Sequence, residues 1–373
     1  MDYIFTSKER VCEIKNKIRT DEKLKKALTD LAESYLLKGP FSVTFHKSPA
    51  ISGDIHDYFS EGLYWWPDPE NPDGPYIRRD GEANPDVFKF HRSDMHEMCK
   101  TVLVLAQAGL YLEDDKYFDR ASELLKIWFI DEETKMNPHL TYAQAIRGVC
   151  SGRGIGIIDT EFFVSVINAL NIMEVNNKHP EIMEPLKKWF SDYTNWLNTS
   201  ENGLEEKNYF NNHSNWWNTQ VASFCAFTGD EKLLSECFDS FKNRILPSQI
   251  DNLGRFTDEI TRTLSYTYTI YNLTACVILC EIAHFRGIDL YNYTTENGKS
   301  VKKAVEYLLP FYEDFSLWEY QQIKTAGCEN EKLPLRIADY RLNIEKLTEI
   351  NENKRKKAVP FTQITQLGVL DLV

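Results

Sequence analysis

The sequence predicts an all-α fold built from antiparallel helical hairpins. Apolar residues recur at helical spacing through most of the chain, the turns between helical stretches are short, and strand signals are few. Consecutive helices joined by short turns pack as antiparallel neighbours. Successive hairpins without a residue-level repeat indicate an α/α toroid (an incomplete barrel of hairpins) or a solenoid, which we treat as a single domain over residues 1–373.

The predicted helices follow one another from the first apolar periodicity to the C-terminal region. Asp21 opens an acidic first turn, which suits the positive end of a helix, while Gly229 and Asp230 fit the end of one helix and the cap of the next. The final residues, 362–373, are predicted to form a strand or an extended tail. The predicted helices are Asp21–Leu37, Asp94–Leu112, Lys116–Phe129, Asp159–Met173, Pro180–Leu197, Ser214–Phe227, Glu231–Ile245, Arg262–Phe285, Lys299–Leu309 and Lys332–Ile350.

Two long segments, residues 41–89 and 131–158, interrupt the helical pattern. The first is rich in Pro, Gly, Asp and aromatic residues, and the second is punctuated by glycine. Loops of this length in a compact domain are usually functional or disordered, and the aromatic content argues against disorder. We therefore expect both segments to lie over the cleft of the toroid.

The charge of the chain disfavours nucleic acid as a partner. The net charge is −13, whereas a surface that neutralises phosphates must be positively charged. A polyanion still binds an acidic protein through a local basic cleft, and several arginines and lysines lie near the two long segments. These cations are Arg78, Arg79, Lys89, Arg92, Arg147 and Arg153.

Other composition features exclude several classes of protein. The 8 cysteines form no CxxC pair, and neither a metal-ligand pattern nor a dinucleotide fingerprint is present, so we predict no metal and no cofactor. No run of about 18 apolar residues is apparent, so no membrane span is predicted. The first residues do not read as a signal peptide, and we expect a cytoplasmic protein, or a periplasmic or secreted one if a leader precedes this sequence.

Residues 211–213 read Asn-Asn-His, and a second polar group follows at Glu259, Arg262, Tyr266 and Tyr268. An Asn and a His at a helix start are often a cap and a loop histidine, but an amide, an imidazole, a guanidinium and a phenol together suit elimination beside a carboxylate. On a helix that includes Arg262, Tyr266 faces Arg262 better than Tyr268 does.

At these residues the chain resembles the alginate lyase superfamily, the α/α-toroid polysaccharide lyases. The Asn-Asn-His segment followed by Glu-x-x-Arg and Tyr matches the catalytic pattern of that family. Residues 56–86, 137–146 and 152–160 look like the subgroup that contains glucuronan and alginate lyases. The resemblance extends over most of the chain and implies cleavage of an acidic polysaccharide or oligosaccharide.

The resemblance implies a role for each residue of the pattern. Asn212 takes the place of the amide that neutralises the substrate carboxylate, and His213 that of the catalytic histidine. Arg262 matches the arginine of the pattern. Tyr268 aligns with the catalytic tyrosine, and Tyr266 is the alternative phenol and a candidate substrate contact.

Further substrate contacts are expected around the cleft. Gln144 and His139 resemble cleft residues of the family. Aromatic residues make up 13% of the chain, and most are expected in the core. The tryptophans in polar, loop-like surroundings are candidates for stacking on sugars. The remaining expected contacts are Trp65, Trp66, Trp216, Arg78 and Arg153.

The chemistry expected of this set is β-elimination. The proton beside an ionised carboxylate is weakly acidic, so donors at the carboxylate must stabilise the transition state. Asn212 and Arg262 are the expected donors, and Tyr268 is the expected acid and base, with His213 as base for guluronate. The alternatives are an α/α-toroid glycoside hydrolase, which needs two carboxylates across the cleft, and a noncatalytic protein that binds acidic polysaccharides.

Overall fold

The computed structural model describes residues 2–330 and 332–356; the predicted strand or tail at 362–373 lies outside them. The described residues form fourteen α-helices and four short strands. The helices are α1 (Lys8–Thr20), α2 (Glu22–Leu36), α3 (Phe90–Leu112), α4 (Asp115–Phe129), α5 (Phe163–Val175), α6 (Met183–Thr199), α7 (Glu201–Lys207), α8 (Asn212–Thr228), α9 (Glu231–Ser240), α10 (Leu246–Gln249), α11 (Ser265–His284), α12 (Val301–Glu313), α13 (Leu333–Asp339) and α14 (Glu345–Arg355). The strands are β1 (Phe59–Glu61), β2 (Trp65–Trp66), β3 (Ile77–Arg78) and β4 (Tyr142–Ala145).

Contacts within the chain divide the described residues into two compact units. The first unit contains residues 2–206 and 224–229, and the second contains residues 207–223 and 230–356 without 331. The single domain predicted over residues 1–373 stays a prediction.

The first unit contains the predicted hairpin of α3 and α4. Most of α3 is buried on all sides, as in a central helix. Glu113 turns the chain with a left-handed backbone (φ 58°), and the Asp114 side chain then accepts a hydrogen bond from the backbone N–H of Lys116 at 3.1 Å. This acidic turn therefore ends one helix and caps the next.

One segment of the first unit, Gly154–Val175, is long and apolar enough to cross a membrane, judged by length and composition alone. However, 89% of its apolar window is buried inside the protein, as in the core helix of a globular unit.

The two long segments predicted as loops contain the four strands. β1 pairs in parallel with β4, which joins residues 41–89 to residues 131–158. β2 pairs antiparallel with β3 inside the first segment. The backbone N–H of Gly62 also donates to the Ala145 carbonyl at 2.9 Å. These hydrogen bonds hold the two segments together in the first unit.

In the second unit, α11 begins at Ser265 rather than at Arg262 as predicted. Glu259–Thr261 form a separate 3₁₀ turn, and Arg262 has an extended backbone with φ −78° and ψ 156°. The helical spacing expected between Arg262 and the tyrosines therefore does not apply, because Arg262 precedes the helix.

Farther along α11, Glu281 is the buried partner of an ion pair. Its carboxylate accepts hydrogen bonds from Arg341 at 2.9 and 2.7 Å and from the Tyr291 hydroxyl at 2.8 Å. Arg341 lies between α13 and α14, where the single helix predicted over Lys332–Ile350 is interrupted. The chain turns here, and the Arg341 guanidinium reaches the Glu281 carboxylate.

The capping signals in the sequence are confirmed. Gly229 has φ 86° at the end of α8, and the Asp230 side chain accepts from the backbone N–H of Leu233 at 3.0 Å. Asp21 caps α2 through the N–H groups of Lys23 and Leu24. By contrast, α1 was not predicted, because its sequence is strongly charged and has few apolar positions.

Candidate active site

The Asn-Asn-His segment leads into the first turn of α8. The Asn211 side chain accepts a hydrogen bond from the backbone N–H of His213 at 3.2 Å. Asn211 and Asn212 are buried, whereas His213 is partly exposed. The His213 ring packs against Tyr209, with ring centroids 5.2 Å apart. The imidazole is therefore the group of this turn that a substrate can reach.

Asn212 is held inside the unit by the carboxylate of Glu259. Glu259 Oε1 accepts hydrogen bonds from the backbone N and from Nδ2 of Asn212, both at 2.8 Å. Asn212 has no exposed surface, so this conformation contradicts the expectation that its amide meets the substrate carboxylate directly. The side chain points inward from the first turn of α8, and Asn212 supports the site from within.

Arg262 and Tyr268, like His213, are accessible residues of the site. The Arg262 guanidinium lies over the Tyr268 ring, 3.8 Å from its centroid. Both side chains are partly exposed. A cation at this distance is attracted electrostatically to the face of the ring. The extended backbone at Arg262 and the first turn of α11 thus bring together two residues that the sequence places six apart.

Tyr266 does not belong to this site, and its predicted role as alternative phenol and substrate contact is wrong. It is 1% exposed and packs edge-to-face against Phe315 and Trp318, with centroids 5.1 and 5.2 Å away. Burial raises the pKa of Tyr266 well above its usual value. Residues two positions apart in a helix lie about 200° apart around its axis, so Tyr266 points into the core when Tyr268 points outward.

Trp216 is also wrongly predicted as a sugar contact. It is fully buried and packs against Tyr271, with ring centroids 5.0 Å apart. Its sequence neighbours are polar, but Asn215, Asn218 and Thr219 are buried as well. The polar surroundings that suggested a loop are in fact a hydrogen-bonded interior of α8.

Glu259 is the carboxylate on which the neighbouring site residues act electrostatically. Burial raises the pKa of Glu259, and this effect is opposed first by the hydrogen bonds from Asn212 and then by the positive charges of Arg262 and His213. Both cationic side chains therefore lie close enough to Glu259 to act on its charge. The sequence pattern Glu-x-x-Arg marked Glu259 without indicating its burial.

An aromatic pair beside His213 was missed by the sequence analysis. Tyr209 and Phe210 stack with ring centroids 4.7 Å apart and an interplanar angle of 22°. Phe210 is 59% exposed, although it is a large apolar residue. Its position directly before the Asn-Asn-His segment is a signal that the sequence did contain.

We expect Phe210→Ala to raise KM about fivefold with little change in kcat, because an exposed ring contributes about 1 kcal/mol of contact to a sugar that stacks on it. Leu253→Ala is the matched control, since Leu253 is 64% exposed in the same unit. Steady-state kinetics on an oligouronate measure both variants. Equal KM values for the two variants would contradict the stacking role.

In the first unit, the structure brings together Gln144, Arg153 and Trp65. Arg153 donates to the Gln144 backbone carbonyl at 3.0 Å and to its side-chain oxygen at 3.1 Å. The Arg153 guanidinium lies 5.6 Å from the Trp65 ring centroid. Gln144 has a left-handed backbone, φ 51°, and its Nε2 donates to Asp159 at 2.9 Å. A cation, an amide and a half-exposed ring are thus adjacent, and ligand sites combine aromatic and placed polar groups in this way.

Asp159 is the anchor of that cluster and was not predicted as a site residue. It is fully buried and accepts hydrogen bonds from Ser60 at 2.6 Å and Tyr58 at 3.1 Å. Arg92 Nε lies 3.5 Å from the same carboxylate. Burial lowers the pKa of nearby His96 to about 4, so this imidazole is neutral at pH 7.

The other residues predicted in the first unit have separate partners. His139 Nε2 lies 3.0 Å from Asp57 Oδ1. Trp66 Nε1 donates to the Glu82 carbonyl at 2.9 Å, and exposed Arg78 pairs with Asp80 at 2.7 Å. In the described part of the chain, no three His, Cys, Asp or Glu side chains are grouped so as to hold a metal ion.

The alginate lyase family model matches residues 42–318 of the chain. The crystal structure of an alginate lyase from Bacteroides ovatus is similar to this chain, with 34% sequence identity and a TM-score of 0.90. The match covers 100% of this chain and 98% of that one. Alginate lyase A1-III from Sphingomonas species A1 is 18% identical, with a TM-score of 0.58 over 90% and 88% of the two chains. A variant of A1-III complexed with a tetrasaccharide is 17% identical, with a TM-score of 0.60 over 90% and 88%.

No match was found among curated protein sequences. The structural similarity over the whole chain confirms the predicted fold class, an all-α toroid. The chain belongs to the alginate lyase family and is a polysaccharide lyase.

Proposed function

We propose that this lyase cleaves β-1,4-linked uronate polymers, and that it prefers glucuronan or mannuronate-rich alginate to guluronate. The observation that carries the proposal is the Arg262 guanidinium 3.8 Å from the Tyr268 ring centroid. Solved variants of A1-III, one with a histidine replaced by alanine and one with a tyrosine replaced by phenylalanine, are each complexed with a tetrasaccharide. The two substituted residue types agree with the histidine and the tyrosine of the mechanism proposed here.

The difficult step is removal of the C5 proton beside an ionised carboxylate. Loss of this proton adds charge to a group that is already negative, so the site must stabilise an enolate-like transition state. Arg262 and His213 are partly exposed and are the donors that a carboxylate can reach. Preorganised donors of this kind stabilise developing charge strongly.

Tyr268 is the proposed acid and base. As phenolate, it takes the proton from C5, a double bond forms between C4 and C5, and the C4–O4 bond breaks. The departing O4 then takes a proton from the phenol, which regenerates the phenolate. No water is consumed, and the products are an unsaturated uronate end and a new reducing end.

The stereochemistry of the sugar explains the proposed substrate preference. In mannuronate and glucuronate the C5 proton and O4 lie on the same face, so one phenol serves both steps. In guluronate they lie on opposite faces, so His213 would have to act as the base. The contact of the Arg262 guanidinium with the Tyr268 ring, 3.8 Å from its centroid, favours the one-phenol route.

A hydrolytic mechanism is less consistent with the carboxylates of this chain. Inverting and retaining hydrolases need two carboxyl groups that reach the sugar. The Asp159 and Glu259 carboxylates, which lie beside the two groups of site residues described above, are both fully buried. Each is also occupied by hydrogen bonds from neighbouring side chains.

The test is incubation with polyglucuronate, polymannuronate and polyguluronate, followed by the ultraviolet absorbance of the unsaturated uronate and an assay of reducing ends. We expect both signals to rise together, fastest with polyglucuronate or polymannuronate. Reducing ends without absorbance would indicate a hydrolase instead. Binding without new ends would indicate a noncatalytic protein.

A further inference from the structure

We infer that Glu259 is a positioning residue, which holds the first turn of α8 and the segment of Arg262 in one fixed arrangement. The inference rests on the proposed function and deepens it. Glu259 has no exposed surface, so it does not touch the substrate. It acts through His213 and Arg262, which do face solvent in part.

The first observation is the set of donors that meet at one oxygen. Glu259 Oε1 accepts from Asn212 N and Nδ2, each at 2.8 Å, and from Asn272 Nδ2 at 3.1 Å. The first N–H groups of a helix have no partner inside that helix, so a carboxylate from another element is a strong cap for them. Glu259 thereby fixes where α8 begins, and with it the direction of the His213 side chain.

A second layer of buried amides holds Asn272 in turn. Asn272 Nδ2 donates to Gln249 Oε1 at 2.9 Å, and Asn215 Nδ2 donates to Asn272 Oδ1 at 2.8 Å. Gln249 Nε2 donates to the Asn211 carbonyl at 2.8 Å, which closes the network back onto the start of α8. Connected buried networks of this kind specify one arrangement of their side chains.

The second observation concerns Arg262. Its backbone N–H donates to the Glu259 carbonyl at 3.1 Å in the 3₁₀ turn, which links the backbones of the two residues. Within the described residues, Glu259 Oε2 has no hydrogen-bond partner. The Arg262 and His213 side chains both act electrostatically on the Glu259 carboxylate.

Burial of a carboxylate is costly, and the packing of a helix end does not require one. An uncharged amide would accept the same hydrogen bonds at Oε1. A buried carboxylate at this place is explained if it orients the Arg262 and His213 side chains toward the substrate. Variants of Glu259 can therefore distinguish an effect on stability from an effect on catalysis.

The test uses Glu259→Gln and Glu259→Ala in the full chain. Glu259→Gln keeps the acceptor at Oε1, and we expect kcat to fall about tenfold with KM and the thermal midpoint almost unchanged. Glu259→Ala removes the acceptor too, and we expect a fall of about 100-fold in kcat. Glu281→Gln is the matched control, because Glu281 is a buried carboxylate on α11 that holds Arg341. It should lower the thermal midpoint and leave kcat per folded molecule unchanged.

Crystal structures of wild type and Glu259→Gln add a readout that does not depend on activity. We expect the Arg262 guanidinium to leave its position over Tyr268 in the variant. An unchanged guanidinium, wild-type kcat in Glu259→Gln, or an equal loss of kcat in Glu281→Gln would overturn the inference. A wild-type protein that forms no unsaturated product would instead refute the proposed function, while the structures still decide the positioning role.

Discussion

Tyr268→Phe is expected to abolish elimination, with a fall in kcat of about 10³-fold or more, because the variant lacks both the base and the acid of the proposed cycle. The ring remains, so the Arg262 guanidinium keeps its partner 3.8 Å away. Substrate binding is therefore expected to persist. The rate of absorbance increase and the affinity for an oligouronate, measured by calorimetry, test the two halves of this expectation.

Tyr266→Phe is the matched control on the same helix turn. The Tyr266 hydroxyl is buried and has no hydrogen-bond partner in the described part of the chain, so its loss removes no interaction. We expect wild-type kcat and an equal or slightly higher free energy of unfolding. Full activity in Tyr268→Phe together with a loss in Tyr266→Phe would show that the phenol has been misassigned.

The choice between these tyrosines shows what the sequence could and could not predict. The pattern Asn-Asn-His and Glu-x-x-Arg is local, so its residues were identifiable without a structure. Which tyrosine faces Arg262 depends on where α11 begins. A start at Arg262 favours Tyr266, whereas the observed start at Ser265 leaves Arg262 extended and favours Tyr268.

Burial was the property that the sequence conveyed least well. Asn212 and Trp216 lie in a stretch that reads as polar, yet both are fully buried. Their polar neighbours are satisfied by long-range partners, such as Asn272 for Asn215, 57 residues away. Partners at that separation depend on tertiary packing, which no local pattern encodes.

The helical fold was predictable because its signals are local. Asp21, Gly229 and Asp230 end or cap helices through side chains or backbone angles of their own neighbourhood. The break within Lys332–Ile350 was not predictable, because it accompanies an ion pair between Arg341 and distant Glu281. A tertiary contact there overrides a continuous helical pattern.

Arg262→Ala is expected to lower kcat/KM by about 10²–10³-fold, which is the usual effect of removing one donor that stabilises a developing oxyanion. Arg262 is partly exposed and its backbone precedes α11, so the free energy of unfolding should change little. Arg262→Lys keeps the charge but loses the planar stacking on Tyr268, and we expect an intermediate rate. Initial rates and chemical denaturation of each variant measure these effects.

Arg341→Ala is the control that distinguishes loss of an arginine at the site from loss of an arginine elsewhere in the same unit. It leaves Glu281, a carboxylate 4% exposed, without its cation, and we expect the free energy of unfolding to fall by about 3 kcal/mol. The kcat of the folded protein should stay at the wild-type level, since Arg341 pairs with Glu281 and not with the site. We therefore expect Arg262→Ala to lower kcat/KM with little change in stability, and Arg341→Ala to lower stability with little change in kcat. If Arg262→Ala retained wild-type kcat/KM, the substrate carboxylate would not be neutralised by this guanidinium, and the assignment of Arg262 as its donor would be wrong.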